Sequence, residues 1–268
     1  MIASDSTHCD GGYKVSNATI ELINNHGSVR QYKEDPVPRE MVRQIIAAGQ
    51  HASTSSNLQM YSVVAVIGAA QRDEMAALCG SQDFIRQAPV FLAWCADLSR
   101  LERAAAKKGR QQVSNYAENF LLSAVDVSLF MQTTAIAAES LGLGICYVGA
   151  IRNQPQDVID LLQLPRLVFP ISGMAVGWPI RPPRVRPRLP LDAVLHWETY
   201  STIGEEQYLD QYDEAMIATG IYKGRQVTVA GDEQIEVYGW TEHSTRRTSR
   251  ALRTGLKEVL AKQGFNSD

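Results

Sequence analysis

The sequence predicts a three-layer sandwich of helices around a sheet, of the α/β or α+β class. Three observations carry this. Four short apolar runs of strand type alternate with helical patterns along the chain. One stretch, from about Val113 to Leu141, has no proline or glycine and carries apolar side chains on more than one face. A chain of 268 residues, 45% hydrophobic and 21% charged, suffices for one sizeable core or for a core plus a subunit interface.

The elements follow in order. Residues 1–17 are polar and contain glycines, with no basic start ahead of an apolar run, so they read as a loose leader rather than a signal peptide. Ala18–Asn25 is a short helix, with Asn17 placed to cap it and Glu21 near its positive end. Asp35-Pro36 and Pro38 introduce a second helix, on which Val42, Ile45, Ile46 and Gly49 fall on one stripe. It runs out into the polar loop HASTSSNLQ. Tyr61–Ile67 and Val90–Cys95 are nearly continuously apolar strands, a kind usually covered on both faces, with a helix over Arg72–Cys79 between them. The Val113–Leu141 stretch is a helix charged only at Glu118, Asp126 and Glu139. A helix apolar nearly all round is buried nearly all round. Its expected setting is its own sheet on one side and a second subunit on the other; the alternative is the core helix of a monomer. Gly142 stops it, a strand follows within Gly142–Ile151, Pro155 starts a helix that ends before Pro165, and Val168–Trp178 is the fourth strand. Prolines and arginines dominate from Pro179 to Pro190. Residues 18–268 read as one domain with a polar excursion from about residue 198, holding a helix over Tyr208–Ile221. A last helix covers about Thr241–Gln263, and its Arg246, Arg247, Arg250 and Arg253 read as a solvated face.

Composition excludes several classes. With 26 basic and 29 acidic residues the net charge is −3, which argues against a dedicated nucleic-acid binder. Cys9, Cys79, Cys95 and Cys146 are scattered without a CxxC, which fits free thiols in a reducing cytoplasm. No apolar stretch reads as long enough to span a membrane. The five histidines show no metal-ligand spacing, and His196-Trp197-Glu198 lacks the PCxxC partner of a zinc deaminase. GLGICYVGA is no dinucleotide fingerprint: the third glycine is missing, and the glycines follow a helix instead of opening one.

Against this acidic background stand two cationic clusters. His26, Ser28 and Arg30 lie within five residues beside Gly27; Arg184, Arg186 and Arg188 alternate in a segment stiffened by Pro187 and Pro190. A shared anion explains both, and the commonest anion inside a globular enzyme is a phosphate. Ser28 offers a hydroxyl, Gly27 allows backbone amides to approach, and Arg30 offers a guanidinium fork. Arg186 and Arg188 are expected to point the same way. The alternatives are a loop with ordinary surface charges and a solvated linker. Ser53, Thr54, Ser55, Ser56, Asn57 and Gln59 form a dense set of uncharged hydrogen-bonding groups suited to a heterocycle, or simply a polar loop.

The order of these pieces resembles the oxygen-insensitive NADPH nitroreductase and NADPH–flavin oxidoreductase family from about Ala18 onward. The motifs are His26-Gly27-Ser28-Val29-Arg30, the loop Ser53–Gln59, Gly80-Ser81-Gln82, the segment Ala137–Gly144, and Arg186-Pro187-Arg188-Leu189-Pro190. The resemblance implies a domain-entwined α+β homodimer of nitroreductase-like α-β-α sandwiches with FMN at the interface. His26, Ser28, Arg186 and Arg188 would surround the FMN phosphate, with Arg30 toward the ribityl chain. Ser53, Thr54, Ser55, Ser56, Gln59 and Gln82 would contact the flavin, some from the partner. Val148, Gly149 and Ala150 would bring backbone to the ring, with Arg152 nearby. Lys223 and Arg225 stand where the family grips the NADPH 2′-phosphate, although residues 226–238 look altered or inserted, which leaves NADH possible. Gly27 departs from the family's arginine; the alternatives are a weaker affinity for FMN and compensation by Arg184. The implied chemistry is two-electron ping-pong hydride transfer from NAD(P)H, NADPH foremost, to small flat acceptors: nitroaromatics, quinones or free flavin. No protein acid–base catalyst is required. A dedicated flavin reductase supplying a monooxygenase and a non-catalytic flavin-binding redox sensor are the competing readings.

Overall fold

A computed structural model of the chain describes residues 16–114, 116–229, 235 and 237–265. Most of the expected leader, with Cys9, and part of the altered stretch 226–238 lie outside the described residues. The elements are α1 (Ala18–Asn24), α2 (Arg39–Gly49), β1 (Tyr61–Val66), α3 (Ala69–Leu78), α4 (Asp83–Gln87), β2 (Val90–Asp97), α5 (Ser99–Lys107), α6 (Ala117–Ser140), β3 (Gly144–Val148), α7 (Pro155–Leu162), β4 (Val168–Gly177), α8 (Glu205–Ala218), α9 (Trp240–Thr248) and α10 (Leu256–Lys262).

The strands form one sheet in the order β1-β2-β4-β3, and every neighbouring pair is antiparallel. That settles the class as α+β. The α/β alternative falls because apolar runs covered on both faces look like parallel strands, and here helices cover an antiparallel sheet. Alternate side chains of each strand enter opposite cores. Phe91 and Ala93 of β2, with Cys146 and Val148 of β3, face the layer of α3, α4 and α7. Leu92, Trp94 and Ile145 face α2 and α6. In that second core the Trp94 and Phe130 rings meet edge to face at 4.9 Å, a geometry contributing about 0.5–1.5 kcal/mol beyond area burial. A Cβ on Gly49 would lie 1.9 Å from Thr134 Oγ1, so only glycine lets α2 lie this close to α6.

Three sequence expectations are corrected. The last helix is two helices: α10 is tied to the core by Phe265 and by the Leu167 N–H donating to the Gln263 carbonyl at 2.8 Å. The chain turns between α9 and α10, where Arg253 takes a φ of 57°. Two helices went unassigned: α4 is a single turn, and α5 buries only Ser99. Finally, α6 does have the length and apolarity to cross a membrane, 24 residues long with a mean hydropathy of 1.5 over its most apolar 18. It is a packed helix here, with Asn119, Ser123, Asp126, Val127, Phe130 and Thr134 on its buried face. Its opposite stripe is uncovered in the single chain: Leu121 is 57% exposed, Val125 43% and Leu129 44%.

Candidate functional site

Residues 26–33 leave α1 as an extended segment beside β3. Gly27 and Val29 are buried and Ser28 and Arg30 exposed, the period of two of extended backbone. The Val29 N–H donates to the Ile145 carbonyl at 2.8 Å. Farther on, the Lys33 N–H donates to the Trp178 carbonyl at 2.8 Å and the Ile180 N–H to the Gln31 carbonyl at 3.2 Å. The Arg181 guanidinium bonds the Gln31 side chain. The chain leaving β4 therefore runs alongside residues 26–33. Gly27 completes the contact: a Cβ there would lie 2.5 Å from the Arg184 carbonyl oxygen and 3.0 Å from Pro183 Cβ. Two basic clusters far apart in sequence thus meet backbone to backbone. The glycine where the family carries arginine is what lets Arg184 come in.

Between them lies a cavity of about 500 Å³ whose lining includes Ser28, Arg30, Arg181, Arg184, Arg186 and Arg225. Among the described residues, no carboxylate lines it. Five guanidinium groups and a hydroxyl, with no acid among them, are a donor set for a phosphate dianion, and they fit the tail of FMN.

Not every expected phosphate residue lines this cavity. Arg186 and Arg188 do not point the same way: Arg186 lines the cavity, whereas the exposed Arg188 donates through Nη1 to the carbonyls of Arg186 (3.1 Å) and Pro187 (3.3 Å). The irregular, proline-bound backbone does not hold strict strand alternation. His26, two residues before Ser28, is not among the lining residues; its Nδ1 is bonded to Glu139 Oε1 at 2.6 Å. Lys223 sits in the turn after α8 and lines no cavity described here, while its neighbour Arg225 joins the arginine cluster.

At the far end of β3 a second cavity, of about 550 Å³, is lined by Gln82, Val148, Gly149 and Ala150. Ile145 and Val148 are three residues apart, roughly 10 Å along a strand, a span a ribityl chain can bridge. After Val148 the chain enters a 3-10 turn, Gly149–Arg152; no α-helix opens on these glycines, in keeping with the rejected dinucleotide fingerprint. Gly80 (φ 80°) and Ser81 (φ 53°) form a left-handed turn that leads into Gln82, whose Nε2 donates to the Cys79 carbonyl at 2.8 Å. Arg152 donates to the Ile171 carbonyl; burial, and then the nearby Arg253, hold its pKa below the usual arginine value.

The same cavity holds what the sequence reading missed. Arg247, Arg250 and Arg253 line it, and Arg253 Nε donates to Asn153 Oδ1 at 3.0 Å. Arg247 and Arg250 are exposed, as a solvated face would be, whereas Arg253 is half-buried and Arg246 is buried against Glu242. The sequence signal was the density of arginine itself, because the turn between α9 and α10 that brings them to one cavity is set by contacts distant in sequence.

The third group stands apart. The loop Ser53–Gln59 is pinned by the fully buried Asp126 of α6, whose carboxylate accepts the N–H of Ser55 at 2.8 Å and of Met60 at 3.2 Å. Ser56, Asn57 and Gln59 take φ of 49°, 56° and 51°. Gln59 borders a cavity of about 440 Å³ shared with Gln50, Tyr61, Arg100 and Phe130. Ser53, Thr54, Ser55, Ser56 and Gln59 line neither of the two cavities along β3.

The chain is similar to known proteins along most of its length. Residues 23–82 and 69–178 match the model described as "Nitroreductase family", and residues 186–268 match "Nitroreductase family, C-terminal domain". A Cr(VI) reductase of Pseudomonas sp. (strain G-1) is 37% identical over 92% of this chain and 98% of its own. An FMN reductase [NAD(P)H] of Bacillus subtilis (strain 168) is 36% identical over 93% of this chain and 98% of its own. The structure of the hypothetical oxidoreductase YcnD from Bacillus subtilis superposes with a TM-score of 0.86 at 36% identity, covering 94% of this chain and all of that one (100%). The chain belongs to the nitroreductase family.

Proposed function

We propose that the chain is an FMN-dependent oxidoreductase that takes reducing equivalents from NAD(P)H, NADPH foremost, and passes them in pairs to flat, electron-poor acceptors such as nitroaromatics, quinones or free flavin. The observation that carries this is the arginine cavity at one end of β3, lined by no carboxylate among the described residues, with the glycine-bearing turn Gly149–Arg152 at the other. When bound, FMN supplies the hydride chemistry, taking the pair from one partner and giving it to the next. The protein binds and orients. Ser28, Arg184 and Arg186 hold the phosphate, and Arg30 extends toward the ribityl chain. Val148, Gly149 and Ala150 offer backbone to the ring, and Gln82 a side-chain amide. Arg247, Arg250 and Arg253 make the neighbouring cavity attractive to the anionic groups of a dinucleotide. Lys223 remains the candidate for the 2′-phosphate, since Arg225 joins the FMN phosphate cluster.

The working form in this reading is a homodimer. Leu121, Val125 and Leu129 on α6 lack a cover, and so does the apolar run in the arm after β4, where Trp197 is 77% and Ile203 89% exposed. Such a surface is far more apolar than isolated exposed residues account for. A second copy covering it would bring its own Ser53–Gln59 loop to the flavin. Residues 18–268 act as one unit, with the excursion from about residue 198 built over the site. Three buried free thiols, Cys79, Cys95 and Cys146, suit the cytoplasm. The test is purification: yellow protein that releases FMN on denaturation and bleaches with NADPH is expected. Colourless protein that takes up no FMN overturns the reading.

A further inference from the structure

We infer that Glu139 is a positioning residue for the cofactor phosphate, acting through His26. The inference rests on the phosphate reading above. His26 Nδ1 and Glu139 Oε1 are 2.6 Å apart and bridge 113 residues of sequence. Their side chains are only 25% and 12% exposed, so the pair is shielded in a way that surface ion pairs are not. Glu139 also stands where a helix does not want it. It occupies the last turn of α6, at the negative end of a 24-residue helix, and that turn contains no basic residue. The partner that answers it comes from outside the helix, the His26 ring. The other group that feels Glu139 is Tyr147, whose pKa is raised mainly by burial and then by this carboxylate. The Tyr147 hydroxyl donates to Gln132 Oε1 at 2.9 Å and leaves Glu139 to the histidine.

The consequence lies in the second ring nitrogen. With Nδ1–H given to Glu139, the imidazole cannot flip to offer that atom elsewhere, and Nε2 is its one remaining polar contact. In the imidazolium form Nε2–H is a donor, so one ring can bond Glu139 and a phosphate oxygen together. A carboxylate that orients a histidine through its far nitrogen is a recurrent device wherever the near nitrogen has work to do. His26 is suitably placed, because it precedes Gly27, whose backbone touches Arg184, and stands two residues before Ser28.

The inference makes a prediction opposite in sign to simple electrostatics. Removing an acid from the neighbourhood of a phosphate should tighten binding by Coulomb's law alone; removing Glu139 should loosen it. Full-length protein stripped of flavin is titrated with FMN and, separately, with riboflavin, following the quenching of flavin fluorescence. Glu139→Ala should raise the FMN dissociation constant about tenfold, the worth of one charge-assisted bond, and leave riboflavin nearly unchanged. In a His26→Ala background the same substitution should have no further effect. Glu139→Gln should recover part of the loss, since its carbonyl still accepts the Nδ1–H. Unchanged or tighter FMN binding overturns the inference. So does equal weakening of FMN and riboflavin, which marks a structural role, and so do additive effects in the double variant. Should Glu139→Ala fail to fold, Glu139→Gln in both histidine backgrounds makes the same comparison. Wild-type protein that binds neither flavin would refute the phosphate reading itself, a distinct result.

Discussion

Substituting Asp126 tests how the Ser53–Gln59 loop is built. The carboxylate is fully buried on α6 and takes two backbone N–H groups, from Ser55 at 2.8 Å and Met60 at 3.2 Å. Hydrogen bonds to a charged group contribute roughly 1.5–3 kcal/mol each, so two set an upper range of about 3–6 kcal/mol. Ser55 is half-buried and can recruit water into the vacated space, whereas Met60 is 1% exposed and its N–H is left without a partner. The charged group also loses its own desolvation cost when removed. The net cost of Asp126→Ala is therefore about 3 kcal/mol. For a domain of this size that lowers the melting temperature by about 6–12 °C. Asp126→Asn keeps one carbonyl acceptor but turns an amide N–H₂ toward the other backbone donor, so it restores less than half of the loss. The assay is thermal unfolding by circular dichroism at one fixed protein concentration, because the midpoint of the proposed dimer would depend on concentration. Limited proteolysis should cut first within residues 53–59, where three non-glycine residues hold left-handed backbone and lose their anchor. A shift under about 2 °C with no new cleavage, an effect below 1 kcal/mol, would refute the anchoring argument.

The other predictions concern the arginine cavity, the thiols and the uncovered stripe. Arg186→Ala should raise the FMN dissociation constant by about ten- to a hundredfold, and Arg188→Ala by much less, since only Arg186 lines the cavity; equal effects in fluorescence titration would contradict the geometry. Gly27→Ala places a Cβ 2.5 Å from a backbone oxygen of Arg184, so it should cost roughly 1–3 kcal/mol and weaken FMN binding, read by melting and titration together. Burial pushes the thiols of Cys79 and Cys95 up to about 12 from an ordinary 9.0. Because these folded-state values are raised, their contribution is complete below pH 9 and is lost as the pH climbs from there to 12. Each group then adds up to about 1.4 kcal/mol per pH unit of lost stability, and alkaline urea titrations should show that slope with its onset near the ordinary thiol value. Leu129→Glu puts a charge into the uncovered stripe of α6 and should give folded monomer by light scattering; a dimer that persists would mean the partner sits elsewhere.

What the sequence disclosed and what it withheld divide along the range of the interactions involved. Helix α6 was legible because its composition is local: no breaker, few charges, apolar residues all round. Which of its faces lacks a cover was not legible, because that depends on where β2 and α2 lie. The two cationic clusters were legible as chemistry, but their meeting depends on Gly27, a residue that reads as the loss of a cation. In the structure it is the reverse: the missing side chain is the space that admits the Arg184 backbone. Arg247, Arg250 and Arg253 looked like the outer face of one long helix because helical periodicity continues through Ser249–Gly255. What breaks it is a bond from Arg253 to Asn153, 100 residues away, and the docking of Phe265 into the core. Local patterning therefore locates the elements, and the site is made where distant segments press together. The residues that make such contacts are small, like Gly27, or acids bonded to distant segments, like Asp126 and Glu139, and none of them announces a ligand by its own chemistry. It follows that a search for site residues by cationic or hydroxyl side chains alone finds the groups that line the cavity and overlooks those that hold them in place. Gly27 variants, which remove no functional group at all, are the sharpest measure of that difference.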